Sequence, residues 1–254
     1  MDIHALRAFD DNYIWLLRQG RHVVVVDPGD EAPVLRYLEA ERAGLAAILL
    51  THHHGDHSGG VAALLGRHPA PVFGPANETI AGVSRPLREG DRVDLPDLGG
   101  SLRVIDVPGH TRGHVAYYGH GALFCGDTLF ACGCGRLFEG TAAQMWASLG
   151  KLAALPADTR VYCAHEYTQA NIRFALAVEP GNEALQARAA RVAEQRAQDQ
   201  ATVPFALAEE LATNPFLRSA IPAVAAAAER HCGATLDGPS EVFAALREWR
   251  NGFR

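Results

Sequence analysis

The sequence predicts an α+β protein: sheets flanked by helices, then a mainly helical unit. Three observations carry this. Short apolar runs recur through the first two-thirds, each ending in a turn or in a metal-ligating residue type. Helical periodicity fills the intervals between them. After about residue 169 the strand pattern stops, and segments rich in Ala, Arg, Glu and Gln follow. The expected division is residues 1–168 and 169–254.

The elements follow in order. Val23-Val24-Val25-Val26 reads as a strand closed by the turn signature Asp27-Pro28-Gly29. A helix is expected over 34–43. Ala46-Ala47-Ile48-Leu49-Leu50 is a second strand, running into Thr51-His52-His53-His54-Gly55-Asp56-His57. Gly59-Gly60 precedes another helix, beginning at Val61. A strand over 102–107 leads to Pro108-Gly109-His110. Val115-Ala116-Tyr117-Tyr118 and Ala122-Leu123-Phe124 flank Gly119-His120-Gly121 as a hairpin, whose second strand ends at Cys125-Gly126-Asp127.

Met145, Trp146, Leu149 and Leu152 recur at helical spacing within 142–155. Val161-Tyr162-Cys163 is a strand ending at Ala164-His165. Beyond it, 183–200 reads as a solvated helix. Shorter helices are expected at 205–212 and 222–230, and a last one over 241–250 with Ser240 placed to cap it.

At 254 residues, with 48% hydrophobic and 20% charged residues, the chain has the composition of an ordinary globular protein able to bury a substantial core. A formal net charge of -6 gives no footprint for polyanion binding, so nucleic acid is not an expected partner. No apolar run approaches the ~18–20 residues that cross a bilayer, so no membrane partner is expected. Met1-Asp2-Ile3-His4 does not open a secretory signal. Cys125, Cys132, Cys134, Cys163 and Cys232 make an odd count without Cys-x-x-Cys spacing. That fits reduced thiols in a cytoplasmic protein; a monomer is also expected. Cys132-Gly133-Cys134 lacks the second pair that a thiolate metal site needs.

The cluster at 51–57 carries the chemistry. His52 and His54, two apart on an extended segment, point their imidazoles to one side, and Asp56-His57 sits on the turn that follows. Imidazole with carboxylate suits zinc, iron or manganese. His110, Asp127 and His165 each come one to three residues after a predicted strand, which gathers residues distant in sequence at one sheet edge. Seven ligands exceed what one ion uses. Two ions sharing a bridging carboxylate divide them: three histidines for one, two histidines with Asp56 for the other, and Asp127 common to both.

With this order of ligands over 51–165 the chain resembles the metallo-β-lactamase superfamily, whose αββα fold stacks two sheets between helices. The resemblance implies that His52, His54 and His110 bind one metal, that Asp56, His57 and His165 bind the other, and that Asp127 bridges. The flanks are similar to the glyoxalase II (hydroxyacylglutathione hydrolase) family. They include Asp11-Asn12-Tyr13, Gly126-Asp127-Thr128-Leu129-Phe130, Gly133-Cys134-Gly135-Arg136 and Phe138-Glu139-Gly140-Thr141. His165-Glu166-Tyr167-Thr168, Glu179-Pro180-Gly181-Asn182, Asn214-Pro215-Phe216-Leu217-Arg218 and Arg247-Glu248-Trp249-Arg250 continue the match.

The resemblance implies a thioesterase cleaving S-D-lactoylglutathione to glutathione and D-lactate in methylglyoxal detoxification. The attacking group would be a metal-bound hydroxide held by Asp56 and Asp127, on two divalent ions, with zinc first and iron or manganese also suited. Arg136, Phe138, Tyr167, Arg247 and Arg250 would hold the glutathione, and residues 169–254 would form the substrate-binding unit. Two positions depart from the family's common pattern. Phe138 replaces tyrosine, which removes a hydroxyl contact worth ~1 kcal/mol, and Arg250 replaces lysine, which keeps the charge.

The chemistry is consistent with the residues. A metal lowers the pKa of bound water towards ~7, and a thiolate of pKa near ~8.5 leaves without a dedicated acid. No Gly-x-Ser-x-Gly elbow is present. A glutathione persulfide dioxygenase with one iron is the alternative within the same fold. A nucleic-acid-processing enzyme is disfavoured by charge, and a non-catalytic metal module by the bridging Asp127. Of twelve histidines, His53 is expected at the surface or behind the ligands, and His114 is expected to be structural. His4, His22, His68, His120 and His231 are expected at the surface.

Overall fold

The computed structural model describes residues 1–253 and separates into two compact units, one of residues 1–106 with 112–126, the other of 107–111 with 127 onward.

The first unit opens with β1 (Asp2–Ala8), β2 (Asn12–Gln19) and β3 (His22–Val26), followed by α1 (Glu31–Ala40) and β4 (Gly44–Leu49). After β4 come the one-turn helix α2 (Gly55–Ser58), α3 (Val61–Arg67), β5 (Val72–Pro75) and β6 (Arg85–Leu87). These strands form one sheet in sequence order, antiparallel across β1-β2-β3 and parallel from β3 to β6. Parallel strands lie between covered faces, and Val23 to Val26 are accordingly all buried. Their core joins Val34 and Leu38 of α1 to Val61 and Leu64 of α3. A meander of β7 (Arg92–Leu95), β8 (Gly100–Asp106), β9 (Val115–Gly119) and β10 (Ala122–Gly126) follows. The predicted hairpin is β9-β10. His120 and Gly121 both take positive φ at its tip, as a two-residue turn of this hand requires.

The second unit holds the short hairpin β11 (Leu129–Phe130) and β12 (Gly133–Cys134), then α4 (Ala142–Ala153), whose start is fixed by a capping box between Thr141 and Gln144. Then come β13 (Arg160–Cys163), α5 (Thr168–Val178), α6 (Glu183–Ala197), β14 (Phe205–Ala206), α7 (Leu207–Thr213), α8 (Pro222–Cys232) and α9 (Pro239–Gly252).

Four expectations need correction. α1 begins at Glu31 rather than 34, because Asp30 accepts a hydrogen bond from the Ala32 N–H at 2.8 Å and caps the helix there. Strand structure does not end at 169, since Phe205 and Ala206 pair antiparallel with Val161 and Arg160. Ser240 does not cap α9, which starts two residues earlier than expected, with Gly238 as N-cap and Pro239 in the first turn, where its missing N–H costs nothing. Finally, α6 is not simply solvated. Arg188 is 2% exposed, its Nη2 lies 2.6 Å from buried Glu210 and its Nη1 donates to Thr213 at 2.7 Å. Glu210 also accepts from the Cys132 N–H and from Asn214, tying α6 and α7 to the β11-β12 hairpin. Burial opposes the charge on Arg188, but Glu210, Cys132 and Glu209 raise its pKa above the ordinary value overall.

Candidate metal centre

In the first unit the ligand segment begins where β4 ends. His52 and His57 are buried, while His54 and Asp56 are partly exposed. His54 is the N-cap residue of α2, and that single turn carries Asp56 and His57. His52 Nε2 lies 3.1 Å from His54 Nδ1, and His57 Nε2 lies 3.4 Å from Asp56 Oδ2. Behind them sits Asp27, a buried carboxylate that accepts the Thr51 N–H at 2.8 Å and the Thr51 hydroxyl at 2.7 Å, with Oδ2 3.1 Å from His57 Nδ1. Asn12 Nδ2 donates to Asp56 Oδ2 at 3.0 Å. Gly29 makes the approach of this turn possible: a Cβ there would meet the Asp56 carbonyl oxygen at 1.8 Å.

His53 and His114 both lie beside the expected ligands. His53 Nδ1 lies 2.9 Å from Glu78 Oε2, and the other oxygen of Glu78 accepts the Gly113 N–H. The ring of His114 stacks on that of His52, with centroids 4.6 Å apart.

In the second unit Asp127 stands between two histidines. His110 Nε2 is 3.3 Å from Asp127 Oδ2, and His165 Nε2 is 3.3 Å from Asp127 Oδ1. His110 Nδ1 faces the Arg136 carbonyl at 2.7 Å, and the His110 carbonyl accepts N–H bonds from Phe138 and Glu139. Gly135 is obligatory here, because a Cβ would meet the Asp127 carbonyl oxygen at 1.9 Å.

These distances test whether the residues fit metal ions. Two ligand atoms on one tetrahedral zinc, each bonded at ~2.0–2.1 Å, lie roughly 3.3 Å apart. The four ligand pairs within the units span 3.1 to 3.4 Å. Nδ1 of His52, His57 and His110 faces Thr51 Oγ1, Asp27 and the Arg136 carbonyl respectively. That leaves Nε2 of each for an ion, the arrangement metal-binding histidines adopt. The residues fit, and the donor set suits zinc, iron or manganese.

The second unit also carries a cavity of about 190 Å³ lined by Phe130, Cys134, Arg136, Tyr167, Asn171, Arg247, Arg250 and Asn251. It gathers four of the five expected substrate residues. The fifth, Phe138, is not in the lining; its ring is 60% exposed and lies 5.5 Å beneath the Arg136 guanidinium. Arg247 and Arg250, one turn apart on α9, differ in kind. Arg247 is 7% exposed, donates to the Cys134 carbonyl at 2.8 Å and to Asn251, and lies over the Phe216 ring. Arg250 is half-buried and held by Asn171 at 3.4 Å. Burial, then the charges of Arg247 and Arg173, push the Arg250 pKa below its ordinary value. Burial pushes the Cys134 thiol up, while Arg247 pulls it partly back. Two cations held this close favour an anionic occupant.

Cys132 and Cys134 face different surroundings. Cys132 Sγ points to Thr213, Cys134 Sγ to Arg247, and burial with Glu210 pushes the Cys132 thiol to about 12. Sequence reasoning missed Asp27, Glu78, Asn171 and Asn251. For Asp27 a signal existed: like the ligands, it directly follows a strand.

The family model described as hydroxyacylglutathione hydrolase C-terminus matches residues 166–253, and that of the metallo-beta-lactamase superfamily matches residues 7–165. A curated hydroxyacylglutathione hydrolase of Alkalilimnicola ehrlichii is 60% identical, with 98% of each chain covered. One of Cupriavidus taiwanensis is 56% identical over the whole of both chains. Among solved structures, ETHE1 from Myxococcus xanthus superposes with a TM-score of 0.66 at 26% identity, covering 100% of both chains. A protein solved in a di-iron-bound form gives a TM-score of 0.55 at 32% identity, covering 65% of this chain and 92% of its own. The chain has the metallo-β-lactamase fold with a C-terminal helical unit, and it belongs to the hydroxyacylglutathione hydrolase family.

Proposed function

We propose that this protein hydrolyses S-D-lactoylglutathione and related 2-hydroxyacyl-glutathione thioesters to glutathione and the 2-hydroxy acid, as in methylglyoxal detoxification. In this reading His52, His54 and His110 hold one divalent ion, Asp56, His57 and His165 hold a second, and Asp127 serves both. The observation that carries it is Asp127, whose two oxygens each lie 3.3 Å from a different histidine, one from each ligand set. Bound there, divalent ions would acidify water to near-neutral pKa and polarise the thioester carbonyl.

The chain's own groups do the rest. Arg136 and Arg250 take the glutathione carboxylates by charge-assisted hydrogen bonds. Tyr167 presents its hydroxyl and ring to the tripeptide backbone, and Arg247 braces the wall behind. Phe138 offers an apolar face without the family's common hydroxyl. Asp27 and the Arg136 carbonyl hold the imidazoles of His57 and His110 in one tautomer. The departing thiolate needs no proton donor, since its conjugate acid has a pKa near ~8.5.

Zinc is the proposed metal. A monomer in a reducing, cytoplasmic setting completes the reading; the described residues contain no disulfide, which fits that setting. No described helix is long and apolar enough to cross a membrane.

The test is thiol release from S-D-lactoylglutathione by the zinc-loaded protein, followed with a thiol reagent. Stoichiometric release with loss of the thioester absorbance is expected. No release, or oxygen consumption with glutathione persulfide instead, overturns the proposal.

A further inference from the structure

In the second unit the metal ligands and the proposed substrate contacts form one row of rings. The Phe138 ring meets His110 edge-on at 5.2 Å, and Asp127 lies between His110 and His165. Tyr167 stacks flat on His165, with centroids 4.6 Å apart and planes 4° apart. Phe130 closes against both of the latter rings, edge-on at 5.8 and 5.2 Å. Each end of the row is thus an aromatic residue proposed to touch glutathione, and each packs directly on a histidine proposed to bind metal.

The main chain repeats the connection. His110 makes three hydrogen-bonding contacts with the loop over 136–139: its Nδ1 to the Arg136 carbonyl, and its carbonyl to the N–H groups of Phe138 and Glu139. The same loop sends the Arg136 side chain into the cavity and holds it over the exposed Phe138 ring. An occupant that immobilises Arg136 therefore also immobilises the loop orienting His110. An occupant lying against Tyr167 restrains the ring that fixes His165.

We propose that Phe138 and Tyr167 are positioning residues for His110 and His165, and that filling the cavity and binding metal strengthen each other. The identity of the occupant rests on the functional reading above. Ordering a ligand histidine costs conformational freedom, and a site already ordered by one partner costs the other less. Such coupling is reciprocal by linkage, and outer partners of metal-binding histidines typically carry 10–100-fold in metal affinity.

The test uses the full chain stripped of metal, zinc affinity measured by competition with a chromophoric chelator, and S-methylglutathione, which has no free thiol to bind zinc. Saturating S-methylglutathione is expected to tighten zinc binding about tenfold, and zinc to tighten S-methylglutathione binding by the same factor. Without S-methylglutathione, Phe138→Ala and Tyr167→Ala should each weaken zinc binding about tenfold. Tyr167→Phe, which keeps the stacked ring, should restore it. Arg136→Ala should weaken S-methylglutathione binding and reduce the tightening of zinc that saturating S-methylglutathione produces.

Equal zinc affinity in the wild type and both alanine variants overturns the positioning role. Equal zinc affinity with and without bound S-methylglutathione overturns the coupling. If zinc-loaded protein does not bind S-methylglutathione at all, the functional reading and the coupling fall together. The positioning role is then decided separately by the ligand-free zinc affinities.

Discussion

Asp27 Oδ2 lies 3.1 Å from Nδ1 of His57, so a buried carboxylate that is not itself an expected ligand holds the imidazole of one that is. Asp27→Ala should lower metal affinity about 10–100-fold, measured by chelator competition. It should also cost stability of about 1–3 kcal/mol, because the buried Thr51 N–H loses its acceptor. Unchanged metal affinity would show that the carboxylate serves Thr51 alone.

Asp127→Ala should lose metal as well as activity, since one carboxylate faces both His110 and His165. Elemental analysis of the purified variant should find fewer than two equivalents, and two full equivalents would refute the bridging role.

Arg250→Ala should raise KM about tenfold, the equivalent of ~1.4 kcal/mol, with kcat little changed and thermal stability intact. Arg247→Ala should raise KM too, but it should also lower Tm by several degrees, at roughly 2–4 °C per kcal/mol for a chain of this size. The difference follows from Arg247 being buried and bonded to the Cys134 carbonyl. A collapsed kcat with unchanged KM in Arg250→Ala would count against its role as an anchor.

Glu210→Ala should destabilise the protein by about 3–5 kcal/mol in chemical denaturation, because it leaves the Arg188 guanidinium buried without its counter-charge. The Cys132 N–H and Asn214 lose an acceptor at the same time. A loss under 1 kcal/mol would mean that Glu209 takes over the pairing.

Glu179 gives the fold an acid-sensitive contact. Burial pushes its carboxyl up, but hydrogen bonds from Arg218 and Asn182 outweigh this and hold its pKa below the ordinary value. A folded pKa below the unfolded value of ~4.3 contributes stability above pH ~4.3, which is lost as pH falls through the folded value. The stability gap between wild type and Glu179→Gln should therefore be open near neutral pH and close on acidification. A gap that does not narrow between pH 6 and pH 3 would exclude this contribution.

Much of this was legible in the sequence because it depends on local pattern. The apolar run of β4, the alternation of His52 and His54, and the glycine turn at Gly119-His120-Gly121 each state their conformation within a few residues. So do the histidines and aspartate that follow strand ends. What stayed hidden depends on partners far along the chain. Arg188 sits in a segment whose composition reads as solvated, and only Glu210 and Thr213 of α7 make its burial possible. The two residues of β14 are too short to carry a period and exist through pairing with β13. Asp27 directly follows β3, as the ligands follow their strands, but it also opens the turn Asp27-Pro28-Gly29, and that local signature masks its long-range contact with His57.

The clamp between Arg247 and Cys134 joins residues 113 positions apart. A growing chain emerges from the ribosome with β12 long before α9 is made. Until α9 is synthesised, the cavity lacks both Arg247 and Arg250, and the Cys134 carbonyl lacks its buried donor. A product truncated before α9 would thus lose the proposed anchor Arg250 and the Arg247 brace of the unit together. The wall of the cavity that α9 supplies, Arg247 and Arg250, is thus completed only with the last residues of the chain.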